Sequence, residues 1–149
     1  MTYSVNDDAR PQLKALDVLV GTWKLSGEAE GETTYSWMRG GHFLIQRASL
    51  TQGGETHHVT EVIGYEKPFM AEQAAETISS RAYTDSGDTL DYTWELEGEV
   101  LTIWGGEKGS PAFARATFSA DRNTLTGAWQ WPGGGYEFSA TRVSSRAGS

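Results

Sequence analysis

His57 and Glu61, on one predicted strand, are the two side chains of this sequence that could serve as a general acid or base. His57 shares one face of a predicted strand with Glu61 and with three apolar residues, so we expect it to point inward. The two lie about 13 Å apart along an extended strand, which is too far for a direct acid–base pair. A single inward histidine is usually a hydrogen-bonded core residue, and that alternative stays open here.

Aromatic residues alternate with polar ones in several segments, which predicts an aromatic-lined interior. In the last segment Tyr136, Phe138 and Ala140 share a face with Arg142, so this arginine is expected on the inward, apolar side. The residues that we expect to contact a ligand are Arg142, His57, Tyr92, Trp94, Arg115, Trp129, Trp131 and Tyr136. The alternative is that these aromatics only fill a core. The inward or outward direction of Arg47, Arg81 and Arg115 is ambiguous.

The sequence contains no pattern typical of a metal site or of a phosphate-binding loop. His57 and His58 are adjacent, so on a strand they point to opposite faces and cannot bind one metal ion together. Residues 105–110 contain glycines and a lysine, but the spacing is wrong for a phosphate loop and no helix follows. There is no glycine-x-serine-x-glycine nucleophile motif. We therefore expect no metal and no cofactor, and a catalytic residue is not identified.

Composition limits the class of protein. The chain has 149 residues, a formal net charge of −8 and no cysteine. The acidic balance argues against a nucleic-acid partner and against docking on an anionic membrane. Residues 1–10 have no apolar stretch behind a basic start, and no run of about 18 apolar residues occurs, so we expect neither a secretory signal nor a membrane span. A cytoplasmic protein is the expectation.

The elements that must position these residues are short strands. A helix is expected before Gly21, because Asn6, Asp7 and Asp8 offer capping oxygens, Pro11 suits a first turn, and Leu13, Leu16 and Val20 recur at helical spacing. Period-two alternation then predicts strands at 22–30, 33–39, 42–51, 56–66, 75–84, 89–97, 99–105, 112–120, 124–131 and 136–143.

Turn residues such as Gly53-Gly54 and Gly40-Gly41 separate these segments at regular hairpin spacing. The pattern predicts an all-β fold: a single up-and-down antiparallel β-barrel of about ten strands with a short N-terminal helix. Residues 1–149 are expected to form one domain, with flexible ends at 1–8 and 144–149.

Gly21-Thr22-Trp23 matches the glycine-x-tryptophan motif of the calycins, a group that includes lipocalins and fatty-acid-binding proteins. The chain most resembles bacterial lipocalin-like proteins of the domain-of-unknown-function kind. The resemblance rests on the segments 35–44 (YSWMRGGHFL), 61–65 (EVIGY) and 121–131 (DRNTLTGAWQW), and on a final TRV at 141–143. It covers about 13–143 and implies the fold, whereas function in the group is mostly unassigned.

Two ligand classes known in such barrels, fatty acids and haem, are not carried over to this chain. Fatty-acid-binding proteins insert a helix pair after the first strand, where this chain has only Gly31 between two predicted strands, and nitrobindin-like haem proteins use a late histidine, which is missing after His58. The resemblance implies two roles for Arg142. It closes the barrel end across Trp23, as in lipocalins, or it meets a ligand carboxylate, as in fatty-acid-binding proteins.

Three functional hypotheses follow. The first is a lipocalin-like protein that binds a small hydrophobic or aromatic molecule. The second is a barrel enzyme of the cyclase or isomerase type, acting on a hydrophobic substrate with His57 or Glu61 as acid or base. The third is a filled barrel that acts through its outer surface, for example as a homodimer. The presence of a cavity, and of a perturbed acid inside it, would separate them.

Overall fold

The computed structural model describes residues 2–145. Its N-terminal helix is short: α1 spans Pro11–Ala15 and continues into a 3₁₀ turn at Leu16–Leu19. Pro11 occupies the start of the helix as expected, because a first-turn residue needs no backbone N–H donor. The expected capping by Asn6, Asp7 or Asp8 is wrong. Arg10 is the N-cap residue and makes no side-chain capping bond, while Asn6 accepts from the backbone N–H of Asp8.

The described residues form ten strands, as the alternation predicted. They are β1 (Gly21–Gly27), β2 (Glu30–Trp37), β3 (Phe43–Gln52), β4 (Glu55–Tyr65), β5 (Ile78–Thr84), β6 (Thr89–Glu97), β7 (Val100–Gly105), β8 (Phe113–Phe118), β9 (Thr124–Trp131) and β10 (Gly134–Ser144). Each strand pairs antiparallel with the next, and β1 pairs with β10. The prediction of an up-and-down barrel with a short N-terminal helix is therefore confirmed, and closure leaves no sheet edge.

One predicted boundary is wrong in an informative way. Gly31 does not separate the first two strands, because the turn lies at residues 28–29 and Gly31 pairs with Leu25 inside β2. Its φ is +152°, and a Cβ at this position would collide with the backbone carbonyl of Ser49 on β3. Only glycine allows the strands to approach this closely.

The two ends of the barrel differ. The end where β1 begins is closed by the helix: Leu13, Leu16 and Leu19 are almost fully buried there, beside Trp23 and Trp37. The helical segment is attached through Trp23 Nε1, which donates to the Leu19 carbonyl at 2.9 Å, and through Trp37 Nε1, which donates to Asp17 Oδ1 at 2.8 Å. We call this the closed end and the opposite end the mouth.

The predicted flexible termini lie partly outside the described residues, which omit Met1 and 146–149. Within them, Asn6 donates through its backbone N–H to the carbonyl of Gly41 at 3.0 Å. Its side-chain amide also donates to the carbonyl of Gly40 at 3.1 Å. Ser144 is the last residue of β10. The chain is thus hydrogen-bonded at Asn6 and paired up to Ser144.

Candidate functional site

The barrel encloses a cavity of about 370 Å³ between the closed end and the mouth. This volume falls in the range of roughly 300–1,000 Å³ that is common for small-molecule sites. Small inward residues make the room, since six alanines of the described chain line the cavity where larger side chains would fill it. They are Ala29, Ala48, Ala82, Ala114, Ala116 and Ala140. The barrel is therefore hollow, contrary to the filled-barrel hypothesis.

Polar lining residues lie on one side of this cavity, on the consecutive strands β2 to β6. Tyr35 on β2 pairs with Gln46 on β3, which pairs with Glu61 on β4. Ser80 on β5 bonds to Glu61 and pairs with Tyr92 on β6. We call Tyr35, Gln46, Glu61 and Tyr92 the polar wall, since all four line the cavity.

Glu61 is the titratable carboxyl of this wall and is 7% exposed. The Ser80 hydroxyl donates to Glu61 Oε2 at 2.5 Å, and Ser80 Oγ in turn accepts from Trp94 Nε1 at 2.9 Å. Burial raises the pKa of Glu61 above its usual value, and hydrogen bonds from Ser80 and Trp94 oppose this only in part. Desolvation therefore shifts this carboxyl towards its neutral form, compared with an exposed glutamate.

Two tyrosine hydroxyls share the environment of Glu61. Burial, and secondarily the charge of Glu61, raise the pKa of Tyr35 well above its usual value and that of Tyr92 to about 12. Both phenols are therefore neutral near pH 7, and each retains a proton to donate. Tyr35 Oη accepts from the Gln46 amide at 2.8 Å, which fixes its position.

The opposite side is apolar and is formed by lining residues of β7–β10 and β1. We call it the apolar wall. Leu101, Ile103, Leu125 and Phe138 contribute here together with the alanines of β8 and β10. Trp129 meets Tyr92 at 5.9 Å between ring centroids, so an aromatic contact joins this wall to the polar wall.

Aromatic residues also mark the mouth. Trp131 and Tyr136 line the cavity there, with ring centroids 6.0 Å apart in an edge-to-face arrangement. Trp131 is 42% exposed, so its ring is reached both from solvent and from the cavity. An apolar molecule that enters the barrel would meet these rings first.

Arg142 lies at the closed end, outside the cavity lining. Its guanidinium stands 4.3 Å from the centroid of the Trp23 ring, and its two terminal nitrogens donate to the carbonyls of Val18 and Val20 at 2.6 Å each. Residue 142 pairs with Trp23 across β1 and β10. The inward parity predicted for Arg142 is correct, and the contacts are those expected for closure of the barrel end.

His57 and Arg115 also lie outside the cavity lining. His57 has the same parity as Glu61, but it sits near the mouth end of β4, where its side chain is 49% exposed and 3.7 Å from Glu55 Oε2. The expectation that His57 is buried in the interior is therefore wrong, because β4 extends beyond the cavity. Arg115 points to the outer face of β8, because its neighbours on the strand are the inward alanines. There it lies over the Phe113 ring and donates to Thr102 Oγ1.

The other predicted residues, Tyr92, Trp94, Trp129, Trp131 and Tyr136, do line the cavity. Sequence reasoning missed Tyr35, Gln46 and Ser80. Tyr35 shares strand parity with buried Trp37, and Ser80 with buried Ile78 and Ala82, so alternation could have indicated that both point inward. The ambiguous Arg81 points outward, where its guanidinium pairs with Asp91 at 2.8 Å.

Within residues 2–145, no group of three or more histidine, aspartate or glutamate side chains could hold a metal ion. No helix in the same residues is long and apolar enough to cross a membrane. Comparison with protein-family models and with curated proteins finds no match to the chain. The closed barrel is consistent with the calycin resemblance, and the cavity is the feature that bears on function.

Proposed function

We propose that this protein is a lipocalin-like binder of one small, largely apolar molecule, which it holds inside the barrel. The observation that carries the proposal is a cavity of about 370 Å³ with an apolar wall, a polar wall and an aromatic mouth. Apolar pockets with a few convergent polar groups are typical of small-molecule sites. A folded chain gains nothing from lining an empty space with alanine, since filling it would add packing energy.

Tyr92, Trp94, Trp129, Trp131 and Tyr136 would supply the contact area in this proposal. Orientation of the ligand would come from Glu61 and the two phenols of the polar wall, rather than from His57, Arg115 or Arg142. A small molecule is the proposed partner, and a single domain over 1–149 is part of the same proposal. Neither nucleic acid nor a membrane surface is proposed, in view of the acidic charge.

A barrel enzyme of the cyclase or isomerase type is the second candidate. One observation favours it: Glu61 faces the cavity with a raised pKa, as a carboxyl does when it serves as a general acid near neutral pH. Of the two predicted acid–base residues, only Glu61 has this position. Turnover of a bound molecule that disappears in Glu61→Gln would favour the enzyme over the binder.

Native mass spectrometry of gently purified protein tests the binding proposal, followed by a thermal-shift screen of lipids, aromatic compounds and haem. Ala116→Leu reduces the cavity, and Thr117→Leu, one residue along β8 on the outer face, is its matched control. A retained mass or a thermal shift should be lost in Ala116→Leu and kept in Thr117→Leu. No retained mass and no shift in wild type, or equal shifts in all three proteins, would contradict the proposal.

A further inference from the structure

The polar wall presents more hydrogen-bond donors than acceptors to the cavity. Glu61 Oε2 accepts from the Ser80 hydroxyl, and Ser80 Oγ accepts in turn from Trp94 Nε1, so this chain of hydrogen bonds is directed towards the carboxyl. The Tyr35 oxygen also accepts, from Gln46. The Tyr92 hydroxyl makes no hydrogen bond to the described residues. Tyr35, Tyr92 and the neutral form of Glu61 each carry an O–H group on this side of the cavity.

Positive charge is missing from the same region. No lysine, arginine or histidine of the described chain lines the cavity. A ligand carboxylate would therefore meet no opposite charge, and it would lie close to Glu61 in an environment of low polarity. Burying an unpaired carboxylate is costly, so anionic ligands are disfavoured.

We infer that the molecule bound here is neutral, with an apolar ring-sized body and a carbonyl oxygen that accepts a hydrogen bond from the Glu61 carboxyl. The inference rests on the proposed binding function and names the chemical class of the ligand. The apolar body would lie against β7–β10, opposite Glu61. Tyr35 and Tyr92, which line the cavity on the same side as Glu61, are the further donors that such an oxygen can reach.

An amine is the competing ligand class, because Glu61 could lose its proton to it and form an ion pair. Among the described residues, the Ser80 hydroxyl, itself hydrogen-bonded by Trp94, would then stabilise the carboxylate from the protein side. Burial raises the pKa of the Glu61 carboxyl, which raises the cost of forming that pair. A neutral acceptor avoids this cost, since the carboxyl keeps its proton.

Three probes of nearly equal shape separate these classes: 2-acetylnaphthalene, 2-ethylnaphthalene and 1-(2-naphthyl)ethylamine. Their dissociation constants are measured at pH 7 by quenching of the tryptophan fluorescence or by calorimetry. The ketone should bind about tenfold more tightly than the hydrocarbon, as expected for one net hydrogen bond in a water-poor site. The amine should bind more weakly than either.

Variants at position 61 identify the group responsible. In Glu61→Leu the ratio of ketone to hydrocarbon affinity should fall several-fold, because the two phenols are the donors that remain, whereas Glu61→Gln, which retains a donor, should keep most of the ratio. Thr60→Leu, the outward neighbour on β4, is the matched control and should leave all three affinities unchanged. The carbonyl stretching frequency of the bound ketone should be lower in wild type than in Glu61→Leu.

The outcomes are distinct. If the ketone and the hydrocarbon bind equally to wild type, the binding function stands and the carbonyl inference is wrong. If the amine binds most tightly and Glu61→Gln abolishes its binding, Glu61 acts as an anion and the inference is also wrong. If no probe binds and native mass spectrometry finds no retained molecule, the proposed binding function itself fails.

Discussion

Arg142→Met should destabilise the barrel more than any other exchange of an arginine for methionine in the described strands. Its side chain donates to the Val18 and Val20 carbonyls at 2.6 Å, to the Arg122 carbonyl and Asn123 Oδ1 at 3.1 Å, and covers the Trp23 ring. The bonds to Val18 and Val20 join the last strand to the segment before the first one. They therefore connect positions more than a hundred residues apart, which no local structure replaces.

The expected loss follows from those contacts. We assign about 1 kcal/mol to each of the two short hydrogen bonds, because water can rehydrate part of the exposed carbonyls. The cation–π contact adds about 1 kcal/mol at this partly buried site. The total of about 3 kcal/mol corresponds to a fall in Tm of about 6–12 °C for a chain of this size. Arg142→Lys should lose about half as much, since an ammonium keeps the charge but cannot bridge both carbonyls.

Urea unfolding followed by tryptophan fluorescence measures these differences, with the m-value compared among the variants. Arg81→Met is the control: this arginine pairs with Asp91 on the outer face, and exposed pairs contribute little. The reasoning would be refuted if Arg142→Met cost less than about 1 kcal/mol, or no more than Arg81→Met. It would also be refuted if Arg142→Lys and Arg142→Met were equally destabilised.

Three other substitutions test separate parts of the structure. Trp23→Ala should lose about 3–5 kcal/mol in urea unfolding, as for other buried aromatic truncations, and a loss under about 1 kcal/mol would mean that Trp23 does not close the barrel end. Gly31→Ala should lose at least about 1 kcal/mol through its positive φ and its contact with Ser49, and an unchanged midpoint would contradict the register of β2 and β3. Glu61 has a raised pKa in the folded state, so it holds a proton that the unfolded chain releases near pH 4.5, and wild type loses stability as pH rises from there towards the folded pKa. The stability of Glu61→Gln relative to wild type should therefore increase as pH rises above 4.5, and a difference independent of pH would show that the pKa of Glu61 is not raised in the barrel.

Strand alternation predicted the barrel well because an antiparallel wall with a closed interior imposes a period of two on nearly every segment. Trp23, Leu25 and Ala29 share the inward face in the sequence and line the cavity in the structure. Boundaries failed where one residue departs from that rule. Gly31 resembles a turn residue, yet its positive φ serves a close approach between two strands.

The polar wall could not be derived in the same way, because alternation gives the face of a residue but not its neighbours on other strands. The sequence pattern associates Glu61 with His57 on its own strand, whereas its hydrogen-bond partner is Ser80 on β5, which accepts in turn from Trp94 on β6. Only the register of three strands brings these groups together. For His57 the predicted face of the strand is correct. The residue lies nearer the mouth than the cavity does, however, so it does not line the cavity.

Arg115 was ambiguous for a physical reason that also explains the cavity. In β8 the small residues Ala114 and Ala116 point inward, and the larger Arg115 and Thr117 point to the outer face. A strand with small side chains inside and larger ones outside reverses the usual pattern. It is typical of a wall that borders a space rather than a packed core. Alanines at such positions are thus a useful indication of a hollow barrel.

The distribution of polar groups restricts how a molecule can lie in that space. Glu61 and the phenols of Tyr35 and Tyr92 are on β2, β4 and β6, while the strands across the cavity contribute aliphatic residues, alanines, aromatic rings and, near the mouth, the Tyr136 phenol. A ligand with a polar group against the aliphatic part of the apolar wall would leave that group unpaired, at a cost of about 1–3 kcal/mol. A ligand without any polar group would leave a protonated Glu61 without an acceptor. Under the proposed function we therefore expect a ligand that is amphipathic across its width, with its acceptor oxygen towards β4 and its apolar body towards β8–β10.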